Sequence, residues 1–124
     1  MKANEADALG FEMPGGERCG AARARPIDLA HLERQTLGDR TVEAEVLSLF
    51  LHQAATVHEK ICGAELEERR KLAHGLKGSA LGIGAFGVAE AASSVEADAG
   101  SRPCLNTLSR RIEEVREFIA AISR

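Results

Sequence analysis

The chain has 124 residues, enough for one domain with a modest core, and its 44% hydrophobic and 28% charged content is that of an ordinary soluble globular protein. A net charge of −3 lacks the basic excess of a nucleic-acid binder, and no run of about 18 apolar residues exists to span a membrane. Aromatic residues are 3% of the chain, without Trp or Tyr, so the apolar content is mostly Ala, Leu, Val and Ile, which suits close-packed helices better than a β-sandwich.

The opening stretch MKANEADALG has neither the basic n-region nor the apolar h-region of a signal peptide, so a cytoplasmic location is expected. Residues 1–25 mix Pro, Gly and charge without apolar periodicity and read as a flexible N-terminal arm, which Phe11 and Met13 can pin to the domain. The three cysteines, Cys19, Cys62 and Cys104, are far apart and form no C-x-x-C pair. They suggest neither a zinc site nor a redox motif, and Cys62 and Cys104 read as small core or helix-end residues.

The ordered domain is expected over residues 26–124. PIDLAHLERQTLGD predicts a short helix capped by Asp28, anchored by Ile27, Leu29, Leu32 and Leu37 and stopped at Gly38. Asp39 or Thr41 caps a second helix running to about Ile61, with Val46, Leu47, Phe50, Leu51, Ala54 and Val57 on its apolar face. Gly63 breaks the chain. A third helix runs from near Glu65 through Ile83, its apolar positions at Leu72, Leu76, Ala80 and Ile83, and a fourth from about Ala85 to Ala99, with Val88, Ala92, Val95 and Ala99 inward. After the turn GSRP, Leu105, Leu108, Ile112, Val115, Ile119 and Ile122 keep the three-four spacing of a bundle seam. Four amphipathic helices joined by short turns predict an all-α, antiparallel up-down-up-down four-helix bundle, with the short first helix as a lid.

The third helix carries the segment that raises a functional question, LAHGLKGSALGIGAFGVAEA. It contains a literal G-x-G-x-x-G at Gly82–Gly87, but no strand precedes it, as a dinucleotide fingerprint requires, and Lys77 comes before Gly78 and Ser79, out of frame for a P-loop. At about 100° per residue, His74 falls roughly opposite the apolar stripe with Arg70, Lys77 and Leu81, flanked by Lys71 and Gly78, while Ser79 lies toward the core. Each glycine inside a helix costs about 1 kcal/mol relative to Ala, so Gly75, Gly78 and Gly82 need a reason. Gly84 serves as a helix stop. Gly78, four residues after His74, leaves one flank of the imidazole open to a bulky reactant. His31, His52 and His58 read as structural or solvated.

The run Ala73-His74-Gly75-Leu76-Lys77-Gly78-Ser79-Ala80, followed by Ile83-Gly84-Ala85, Val88, Ala92 and Val95-Glu96, resembles the signature of the histidine-containing phosphotransfer (HPt) domain family. DLAHLERQTLGD and EVLSLF upstream are similar to the first two helices of its bacterial single-domain members, so the resemblance covers about residues 26–122. It implies a four-helix bundle that relays phosphoryl groups between receiver-domain aspartates in a two-component phosphorelay, without kinase activity of its own. Carried over, His74 is the phosphoacceptor, and Lys77 and Gly78 hold the positions that support and admit the phosphoryl group. The resemblance also implies no cofactor on this chain, since the divalent metal of aspartyl-phosphate chemistry sits on the receiver.

The residues suit that chemistry in their own right. An imidazole titrates near neutrality and is a nucleophile when neutral. Phosphoryl transfer depends on positioning and charge stabilisation. Lys77 at i+3 can reach a phosphoryl on His74, while Arg70 and Lys71 add positive potential toward an acidic partner pocket and Leu81 offers an apolar docking contact. The expected partners are receiver domains of response regulators or hybrid histidine kinases, with no nucleic acid and no membrane, and the chain is expected to act as a monomer. The competing reading is a non-catalytic helical module that binds a receiver without transfer; the intact His74 favours transfer. A metal-binding bundle would need Glu-x-x-His pairs, which do not occur.

Overall fold

A computed structural model describes residues 25–123. The arm expected over 1–25 lies outside the described residues apart from the exposed Arg25, as do Phe11, Met13 and Cys19. The described chain is all-helical, with five α-helices: α1 Leu29–Thr36, α2 Arg40–Lys60, α3 Leu66–Ile83, α4 Phe86–Ala97 and α5 Arg102–Ile122, with a 3₁₀ turn at Ile61–Gly63 between α2 and α3. No helix among the described residues is long and apolar enough to cross a membrane.

The helix starts follow their capping residues. Asp28 accepts from the His31 amide at 3.1 Å, and Asp39, rather than Thr41, caps α2 by accepting from the Thr41 and Val42 amides at 2.9 and 3.1 Å. Ser101 caps α5, and Pro103 sits in its first turn, where a missing amide hydrogen leaves no bond unmade. Two ends differ from expectation. The fourth helix stops at Ala97, although Ala99 is still buried in the turn beyond. Leu37 is not an anchor: it ends α1 in the left-handed conformation (φ 56°) and is 92% exposed. Because the helix closes at Thr36, that backbone turn swings the leucine away from the inner face of α1.

α3 packs on α4, α4 on α5, and α2 on both α3 and α5, while α1 rests on α2 and α3. The core runs through all five helices, from Ile27 and Leu32 at α1, through Phe50, Val57 and Leu76, to Leu105, Leu108, Ile112, Val115 and Ile119 along α5. Each fully buried Leu, Ile or Val contributes about 1.5–3 kcal/mol of transfer free energy. Ile122, the last residue of the predicted seam, is partly exposed at the end of α5. Cys62 is also exposed, on the 3₁₀ turn, and so is not a core residue; Cys104 is half-buried in the first turn of α5.

Two features set the relation of α3 to α4. Both helices bury alanines, Ala73 and Ala80 on α3 and Ala89, Ala91 and Ala92 on α4. Small side chains let helix axes approach closely. The connection between them is only Gly84-Ala85, and both amides bond back to the Ala80 carbonyl, at 3.0 and 2.9 Å. Gly84 holds φ +88°, which an L side chain rarely adopts.

Candidate functional site

From Ile83 back to His74 is nine residues, and from Phe86 on to Glu96 is ten. At 1.5 Å per residue both distances are about 14–15 Å, so the tight turn brings Glu96 level with His74. The contact is direct: His74 Nδ1 lies 2.7 Å from Glu96 Oε2, and Lys77 Nζ lies 2.9 Å from Glu96 Oε1. One carboxylate therefore bridges the histidine and the lysine of α3.

The hydrogen bond from Lys77, and after it that from His74, holds the Glu96 carboxyl below the usual carboxylate range. Glu96 is consequently ionised near neutrality and can only accept. The atom facing it at 2.7 Å must carry the proton, so the neutral ring is the Nδ1–H tautomer with its lone pair on Nε2. Nε2 makes no hydrogen bond among the described residues, and the His74 side chain is 69% exposed. The result is an oriented imidazole whose free nitrogen is available to a reactant.

Lys77 departs from its expected place. Taking Leu72, Leu76, Ala80 and Ile83 as the buried stripe put Lys77 on the outer face. Leu72 is only partly buried, whereas Ala73 is fully buried with Leu76, Ala80 and Ile83. The inward direction is thus rotated toward Ala73, and Lys77 lies only about 80° from it, against about 140° for His74. With 29% of its side chain exposed, Lys77 runs along the α3–α4 seam to reach Glu96. Arg70 and Lys71 are exposed one turn before His74, Arg70 facing Glu67 at 3.6 Å. Leu81 is about half-exposed one turn beyond Lys77, and Ser79 is half-buried.

Gly78 is exposed, and a Cβ built there would meet nothing within 4 Å; the same is true of Gly82. The space beside His74 is open, as the glycine pattern suggests. Of the other histidines, His31 is structural: its Nε2–H donates to the Gly82 carbonyl at 3.2 Å, and its ring packs edge-on against Phe86, with centroids 5.2 Å apart. His52 and His58 are exposed. Among the described residues no group of three His, Cys, Asp or Glu side chains gathers to hold a metal.

The residue that sequence reasoning did not assign to the site is Glu96. Its signal lay in the Val95-Glu96 step, an acidic side chain next to a fully buried valine. Nothing local to that step says that its partner is a histidine 22 positions earlier. No family model matches this chain, and no curated protein and no solved structure matches it either.

Proposed function

We propose that the protein is a histidine phosphotransfer protein, its helices α2 to α5 forming an antiparallel bundle that carries a phosphoryl group on His74 between receiver-domain aspartates in the cytoplasm. The observation that carries this reading is the exposed imidazole whose Nδ1–H is held by Glu96, leaving Nε2 as the free nucleophile beside the open flank at Gly78. The likeness of residues 73–96 to the phosphotransfer signature supports it independently.

The chemistry follows from the tautomer. The Nε2 lone pair attacks the phosphorus of a receiver's aspartyl phosphate. A P–N bond forms as the acyl-phosphate P–O bond breaks, and the aspartate carboxylate leaves with the electron pair. The ring already holds its proton on Nδ1, so no proton moves, and the product is an N-phosphorylated imidazolium beside the Glu96 carboxylate. Glu96 offsets the charge that develops on the ring as the P–N bond forms. When an acceptor aspartate attacks the phosphorus, the same interaction favours the charged ring from which the electron pair returns to Nε2. Lys77 neutralises part of Glu96 and lies one turn from the phosphoryl position, so it can exchange between the two anions.

The test is transfer of labelled phosphoryl from phosphorylated receiver domains to the purified chain. Uptake into an acid-labile, alkali-stable bond supports the reading; receiver binding without uptake would support the non-catalytic module. Glu96→Gln is expected to lower the transfer rate at saturating receiver by about 10–100-fold, the range of one electrostatic contact in the transition state, with little effect on receiver affinity. Wild-type rates for that variant would remove Glu96 from the mechanism. Gly78→Leu fills space that is empty in the free protein, so it should fold normally yet transfer more slowly. Gly78→Ala should add up to about 1 kcal/mol of stability. Equal transfer by the Leu variant and the parent would show that clearance at Gly78 is not used.

A further inference from the structure

α4 is a short helix, 12 residues long, and its far end is poorly secured by its own sequence. No left-handed glycine closes it, the cap being Asp98 at φ −144°, and no basic residue lies in its last turn. That last turn carries Glu96, whose negative charge is unfavourable at a helix C-terminus. An isolated helix of this length is marginal and frays from its ends. Yet Glu96 must stay in place to hold both His74 and Lys77.

The support comes from a neighbouring helix. Arg69 lies five residues before His74 on α3 and, unlike Lys77, gives its hydrogen bonds to main-chain carbonyls. Its Nε–H donates to the Ile61 carbonyl at 2.9 Å and Nη2 to that of Cys62 at 2.7 Å, both in the 3₁₀ turn after α2, while Nη1 donates to that of Ala99 at 2.9 Å, two residues past α4. A planar guanidinium can serve both segments at once, which a single ammonium does poorly. Its positive charge also stands where α4 lacks a cation of its own.

We infer that Arg69 is a positioning residue for the phosphotransfer site, acting through the end of α4 to keep Glu96 against His74 and so to fix the Nδ1–H tautomer. The consequence for rate rests on the phosphotransfer reading; the consequence for the imidazole does not. The two are separable because the ring is read by NMR without any transfer.

The experiment compares the parent with Arg69→Gln, Arg69→Lys and Glu96→Gln, all well below their melting temperatures. Ring ¹⁵N shifts of His74 report the tautomer, and amide hydrogen exchange at residues 94–97 reports the last turn of α4. In Arg69→Gln the Nδ1–H signature is expected to give way to a tautomer mixture, with exchange at 94–97 at least tenfold faster while residues 76–80 of α3 keep their protection. Arg69→Lys should fall between, and it provides the readout if the Gln variant does not fold. Glu96→Gln should change the ring without loosening the helix end. A double variant lacking both groups should transfer no more slowly than Glu96→Gln alone. If the Arg69 variants melt earlier but keep the parent's His74 signature and the parent's exchange at 94–97, the inference is overturned and Arg69 is only a brace. If the ring responds as expected and no receiver labels the parent, the inference stands and the phosphotransfer reading fails.

Discussion

His74→Gln is expected to abolish uptake of label from a phosphorylated receiver while leaving the helical fold intact. Both halves of this expected result follow from where the side chain sits. It is 69% exposed, and its one bond, to Glu96, is a solvent-screened surface pair of the kind that adds little to stability. Glutamine keeps an amide N–H that can donate to the same carboxylate, so the melting temperature should move by only a few degrees. Glutamine has no nucleophilic nitrogen, however, because its amide lone pair is delocalised into the carbonyl. Loss of label with the parent's circular-dichroism spectrum and melting curve is therefore expected. Persistent labelling of the variant would transfer the acceptor role elsewhere, and an unfolded variant would show that His74 is structural. His31, His52 and His58, replaced singly by Gln, are the controls that should keep label uptake.

The largest expected effect on stability is at Gly84. A Cβ there would stand 2.9 Å from the Asp28 carbonyl oxygen and 3.2 Å from the His31 ring, on a backbone at φ +88°. The left-handed conformation alone costs a non-glycine residue about 1–2 kcal/mol. Relieving the clash would also separate Asp28 from Gly84, whose backbone bond is 2.9 Å, at about 1 kcal/mol more. Gly84→Ala should thus destabilise by about 2–3 kcal/mol and lower the melting temperature by roughly 10–20 °C for a domain of this size. Gly82→Ala is the internal contrast. It lies two residues earlier in α3, where a Cβ meets nothing within 4 Å, and should be neutral or stabilising by up to about 1 kcal/mol. Equal melting temperatures for the two variants would contradict the close approach of α1 to the α3–α4 turn. Because that turn also sets Glu96 level with His74, Gly84→Ala should lower transfer as well, even at temperatures where it remains folded.

The comparison of α3 with α4 separates what was legible in the residues from what was not. Local signals sufficed for the elements: Asp28 and Asp39 as caps, Gly84 as a stop, the three-four spacing along α5, and the exposure of His74 all follow from side-chain chemistry and helical period. Those same signals misplaced Leu37, because the backbone conformation at a helix end decides which way the last apolar side chain faces. They also misjudged Lys77, because the inward direction was drawn from Leu72, Leu76, Ala80 and Ile83, while the fully buried Ala73 in place of the partly buried Leu72 turns it toward Lys77. The sequence alone, then, determined an all-helical chain and an exposed histidine flanked by a lysine and a glycine. Only the tertiary structure decided that the histidine has an oriented tautomer. That property arises from a carboxylate on another helix, brought level by a two-residue turn, and from Arg69, whose three carbonyl partners lie on two further segments of chain. Helical periodicity places a residue on a face of its own helix; which residue it meets depends on the register between helices, and that is set by packing and turn geometry.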